Sequence, residues 1–96
     1  MTKAKKQRPN IRFIREHAET GRYRLTGHAV MARLRRNIAT TQLRLALLNG
    51  EIIEHYPDDE PYPSCLVLGW FESGDPLHIV CSRGGNGTVI ACRYGL

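Results

Sequence analysis

The sequence predicts an α+β domain, with two or three N-terminal helices packed on one face of a four-stranded antiparallel sheet. Two observations carry that prediction. Residues 10–50 place apolar residues at helical spacing between capping residues and glycines. Residues 64–83, SCLVLGWFESGDPLHIVCSR, then read as two apolar strands around a tight turn, the central hairpin of the sheet. The other sheet face is expected to stay open for a ligand or a partner.

Taken in order, residues 1–9 form a flexible basic tail ending in Pro9, and residues 10–96 form one domain, since 96 residues leave no room for a second. Asn10 caps a first helix in which Ile11, Ile14 and Ala18 recur on one face and Gly21 ends the run. Residues 22–26 are an extended link. Thr26 caps a second helix over residues 27–36, with Val30, Met31 and Leu34 as its apolar stripe, continued by Ile38. A third helix covers residues 40–49, burying Leu43, Ala46 and Leu47, with Gly50 at its C-terminal cap. Residues 51–56 are a strand, and the acidic YPDDEPYP at 56–63 is a loop that its prolines keep from being helical. Past the hairpin, Gly84, Gly85, Asn86 and Gly87 turn into a last strand over residues 88–94.

Charge divides the chain. Residues 1–50 hold 12 Lys and Arg against 2 acids, and residues 51–96 hold 2 against 7, so a basic half precedes an acidic one. Arginine outnumbers lysine 11 to 3, and a surface of guanidinium forks suits phosphate. A polyanion or an acidic protein is the implied partner, set against a basic surface with no partner at all. No run approaches the roughly 18 apolar residues of a membrane span. The N-terminal MTKAKKQRPN is followed by charged residues in place of an export signal, so a cytoplasmic protein is expected. Cys65, Cys81 and Cys92 lack metal or redox spacing and read as reduced core thiols, with an oxidised pair as the alternative.

Two histidines stand out. On the second hairpin strand Leu77, Ile79 and Cys81 face one way while His78, Val80 and Ser82 face the other. His78 is then either a satisfied core histidine or a functional ring in a cavity. His28 occupies one of the first positions of the second helix, which suit a neutral base, and it shares a helix border with Ala32 and Arg35, with Arg36 nearby. Its bland reading is a bond to a loop carbonyl. If both rings address one face of the sheet, one takes the proton of an RNA 2′-hydroxyl and the other protonates the leaving 5′-oxygen. Arg35, Arg36, Arg83 and Arg93 are candidates to hold the phosphate, and Tyr56 and Tyr94 end strands with phenols able to reach it. Of Trp70 and Phe71, one is expected in the core and the other on a contact surface. His17, His28, His55 and His78 show no short ligand spacing, and residues 58–60 read as solvated, so no metal or cofactor is expected.

The segments GHAVMARLRRNI, LLNGEIIEHYP, PYPSCLVLG, PLHIVCS and VIACRY follow one another between residues 27 and 94. That order resembles a small bacterial family, domain of unknown function four-two-five-eight. The resemblance implies a toxin of a type II toxin-antitoxin module, a RelE/barnase-like fold similar to RelE and MqsR, and an MqsA-type zinc-finger antitoxin as protein partner. The chain departs from the family's pattern at Ala39, where a serine cap is usual, at Ala91, where threonine is common, and in stopping at Leu96.

The expected function is therefore a metal-independent endoribonuclease (mRNA interferase), with His28, His78 and Tyr94 catalytic and Arg35, Arg36, Arg83 and Arg93 on the RNA. The alternative is a noncatalytic protein- or nucleic-acid-binding module. The acidic half of one copy meeting the basic half of another would give a homodimer.

Overall fold

The computed structural model describes residues 8–84 and the backbone of residues 89–95. Its helices are α1 (Ile11–Thr20), α2 (Gly27–Arg35) and α3 (Thr40–Asn49), and its strands are β1 (Tyr23–Leu25), β2 (Glu51–Tyr56), β3 (Ser64–Trp70), β4 (Pro76–Arg83) and β5 (Val89–Gly95). The architecture is α+β. β2, β3 and β4 form a three-stranded antiparallel unit; β5 continues it antiparallel on β4, and β1 pairs in parallel with β5.

The expected four-stranded sheet is thus corrected, because residues 22–26, expected as a link, contain β1. Three residues alternate too few times to register by pattern. Their partner is also remote, with Tyr23 opposite Val89. The expected tail lies outside the described residues as far as residue 7, and Pro9 is fully buried. Residues 85–87 of the glycine-rich turn lie outside them too.

Short polar side chains start the first two helices. Asn10 Oδ1 accepts from the Phe13 amide at 2.8 Å, and Thr26 Oγ1 accepts from the Ala29 amide at 3.1 Å. Ala39 has no such oxygen, and α3 begins with the Ala39 amide donating to Gln42 Oε1 at 3.0 Å. Gly21 (φ 72°) and Asn37 (φ 57°) take up the left-handed backbone that ends α1 and α2, and the amides there turn back onto the last carbonyls. α1 and α3 cap each other. Arg15 donates to the Gly50 carbonyl at 2.9 Å, and Arg44 donates to the carbonyls of Ala18 at 2.8 Å and Glu19 at 2.7 Å. Each guanidinium meets the negative end of the neighbouring helix, where bare carbonyls favour a cation.

Leu43, Ala46 and Leu47 of α3 are buried as their spacing predicts, but α2 departs from its expected stripe. Ala29 is fully buried, while Met31 and Leu34 are 53% and 58% exposed. α2 packs through small residues, Ala29 and the half-buried Ala32, and turns the bulky ones outward. In α1, Phe13 joins Ile14 and Ala18 in the core, and its ring meets both the His17 ring and the Arg83 guanidinium at 4.0 Å.

On the hairpin, Cys65, Val67 and Gly69 of β3 lie opposite Cys81, Ile79 and Leu77 of β4 and share the face under α3. Gly69 has no room for a side chain. A Cβ there would collide with the Ala46 carbonyl oxygen and come within 2.7 Å of Ala46 Cβ. A Cβ on Gly50 would lie 2.6 Å from the Ala46 carbonyl oxygen and 2.7 Å from Val67 Cγ1. Gly50 is the C-terminal cap of α3, as expected, but with an extended backbone (φ −81°), so close approach, and not a left-handed conformation, is what demands glycine there.

Gly69→Ala is therefore expected to destabilise the fold by about 1–3 kcal/mol, the usual range for overpacking, as read by urea unfolding. Gly27→Ala, whose Cβ meets nothing within 4 Å, is expected to be neutral or slightly stabilising. Equal effects of the two would refute the close contact at Ala46.

Candidate functional site

Alternation along β4 places His78, Val80 and Ser82 on the face turned away from α3, opposite Leu68, Leu66 and Ser64 of β3. At one end this face is covered, contrary to the open surface expected. The loop after β2 folds over it. Ser64 Oγ donates to Asp59 Oδ2 in a short hydrogen bond, and Ser64 and Ser82 are only 4% and 7% exposed. Loop and sheet flank an open cavity of about 420 Å³. Asp59, Glu60, Pro61 and Tyr62 line it from the loop, Ser64, Val80 and Ser82 from the sheet, and Thr26 and His28 from the start of α2.

His28 is placed there by the Thr26 cap, which fixes where α2 begins. The ring is exposed and also borders a second cavity of about 390 Å³, with Gly27, Met31, Ala32 and Arg35. His28 and Arg35 thus share one pocket. The imidazole stands between an acid-rimmed cavity and one carrying a guanidinium.

His78 lines neither cavity. It is half-buried and lies two residues along β4 from Val80, on the same face and so about 7 Å farther along the strand. Among the described residues neither the His28 nor the His78 ring has a hydrogen-bond partner.

The other predicted residues are dispersed. Arg36 lines a separate cavity of about 300 Å³ with Ile38, Phe71 and Leu77, at the far end of α2. Arg83 lies on the opposite face of β4 from His78, over the Phe13 ring, so it does not stand with the imidazoles. Arg93 and Tyr94 pair through the backbone with Val80 and Ile79, and their side chains lie outside the described residues. The Tyr56 hydroxyl donates to Glu54 Oε1 at 2.9 Å. Trp70 is exposed and Phe71 packs on the core.

Sequence reading missed Ser64, Ser82 and the loop residues Asp59 and Tyr62. A signal existed for the serines. Counting back from a turn closed by Trp70 and Pro76 brings Ser64 opposite Ser82, as it brings Cys65 opposite Cys81. The carboxylates at 58–60, expected to be merely solvated, include one that is hydrogen-bonded at the cavity rim.

Cys65 and Cys81 face each other in the core as reduced thiols. Burial pushes the Cys65 thiol from its ordinary 9.0 up to about 12, which leaves it protonated and unreactive at neutral pH. The Tyr23 phenol is also pushed up by burial, an effect the Arg44 guanidinium partly offsets. Among the described residues no group of three or more His, Cys, Asp or Glu is placed to hold a metal ion, and no helix is long and apolar enough to cross a membrane.

Fold and site together define a small α+β domain with a cleft at the start of its second helix, apolar over most of its wall and acidic at its rim. The chain matches the family described as Domain of unknown function (DUF4258) over residues 25–91, and it belongs to that family. No curated protein and no solved structure matches it.

Because the folded Cys65 thiol keeps its proton after the unfolded thiol has lost it, stability is expected to fall as pH rises from about 9 to about 12. Urea unfolding across that window should show the slope in the native chain and a flatter one in Cys65→Ala. Identical slopes would contradict the buried thiol.

Proposed function

We propose that the protein is an endoribonuclease that cleaves RNA by acid-base catalysis without a metal, the toxin of a type II toxin-antitoxin pair with a RelE-like fold. The observation that carries this reading is the position of His28. It is exposed at the N-terminus of α2, shares one cavity with Arg35 at the other end of that helix, and borders another whose sheet wall lies on the His78 face. One imidazole removes the 2′-hydroxyl proton as that oxygen attacks phosphorus. The P–O5′ bond breaks, the second imidazole protonates the departing 5′-oxygen, and a 2′,3′-cyclic phosphate remains. Arg35 and the positive end of α2 lie where charge builds on the phosphorane. Tyr94 and Arg93 belong to the same proposal through their places on β5 opposite Ile79 and Val80. The protein acts in the cytoplasm, and a zinc-finger antitoxin of the MqsA type is its proposed partner.

A second reading, a noncatalytic binding module, draws on the exposure of Met31 and Leu34 next to His28 and Arg35. Large apolar side chains exposed beside basic ones suit an acidic protein segment.

Purified protein incubated with mixed RNA in EDTA separates the two. Cleavage is expected, falling about 10²–10⁴-fold in His28→Ala and in His78→Ala. Cleavage undiminished in both variants removes these residues from the mechanism. Binding of RNA or protein without cleavage favours the module.

A further inference from the structure

We propose that the cavity between the 59–62 loop and the sheet is a guanine-binding pocket, the base-recognition subsite of the RNA cleavage proposed above, on which this inference rests. Ser82 gives the first reason. It is 7% exposed, it lines the cavity, and its hydroxyl has no hydrogen-bond partner among the described residues. The hydroxyl oxygen is not sealed in the core, so it can pair with a ligand in the cavity that Ser82 lines.

The rim gives the second reason. Asp59 Oδ2 accepts from Ser64 Oγ, which orients the carboxylate and leaves Oδ1 and the second lone pair of Oδ2 to accept two donors from a ligand. An ionised carboxylate accepts and cannot donate, so it selects a base edge that carries donors. Guanine sets two donors side by side, N1–H and N2–H₂, next to the acceptor O6. Adenine and cytosine each set an acceptor ring nitrogen beside their amino group, and uracil offers one N–H between two carbonyls. Only guanine therefore presents a paired-donor edge to Asp59 with an acceptor left for the Ser82 O–H.

Shape and charge agree. A cavity of about 420 Å³ falls in the range of roughly 300–1,000 Å³ typical of small-ligand sites. Tyr62 offers an aromatic face for stacking. The acidic rim repels phosphate, so the base enters and the sugar and phosphate stay at the mouth. His28 stands at that mouth, with Arg35 beyond it. Cleavage is then directed to the bond on the 3′ side of guanosine.

The test titrates the full chain with the 3′-monophosphates of guanosine, adenosine, cytidine and uridine, read by backbone amide NMR. Guanosine 3′-monophosphate is expected to bind about ten-fold tighter than the others, with shifts centred on residues 59–64 and Ser82. Asp59→Asn and Ser82→Ala, each confirmed as folded by its own amide spectrum, should each weaken it about ten-fold. Equal affinity for the four nucleotides, no binding, or shifts elsewhere overturns the pocket. So does preferential binding there of a short lysine peptide, which would make the acidic rim a protein contact. Guanosine binding in a chain that cuts no RNA keeps the pocket and removes the nuclease. RNA cutting that ignores guanine does the reverse.

Discussion

At Gly69 and Gly50 the backbone of α3 comes against β3 with no side chain between them, and Ala46 is the point of contact. This approach decides which face of the hairpin is covered. Once Cys65, Val67 and Gly69 lie under α3, the pairing of β3 with β4 sends Leu77, Ile79 and Cys81 to the same side. His78, Val80 and Ser82 must then take the other. A shift of one residue in register would reverse every assignment, so the tightest packing in the core also orients the proposed chemistry.

The same economy governs the arginines. The basic half of the sequence suggests a broad phosphate-binding surface, but several of its guanidinium groups hold the fold together. Arg15 and Arg44 close the C-termini of the paired helices, and Arg33 donates to the Ile38 carbonyl at 3.0 Å after α2 ends. Those that remain exposed include Arg8, Arg12, Arg22, Arg24, Arg35 and Arg36, and of these Arg35 shares a cavity with His28. Net charge therefore overstates the surface available to a polyanion, and position along α2 says more than the count.

Much of this was legible from sequence where local rules act alone. Caps at Asn10 and Thr26, the stop at Gly21, the face of α3 and the alternation on β4 all follow from short-range geometry, and each is found. What escaped was long-range or small. β1 exists because β5, more than 60 residues away in the chain, offers it an edge. The stripe of α2 was misjudged because hydrophobicity favours Met31 and Leu34, while the space available favours Ala29. The cavity under the acidic loop was hidden because a run of carboxylates and prolines looks like solvated connection until one carboxylate is seen bonded to a buried serine.

The central claim is that two imidazoles distant in sequence serve one RNA on a single sheet face. Histidine ring NMR during titration with a 2′-O-methyl oligoribonucleotide, which binds without being cut, tests it most directly. The account predicts that the His28 and His78 resonances move together with one affinity, while those of His17, whose Nδ1 donates to the Phe13 carbonyl, and of His55 stay in place. Movement of only one of the pair, or of His17 and His55 instead, would contradict it.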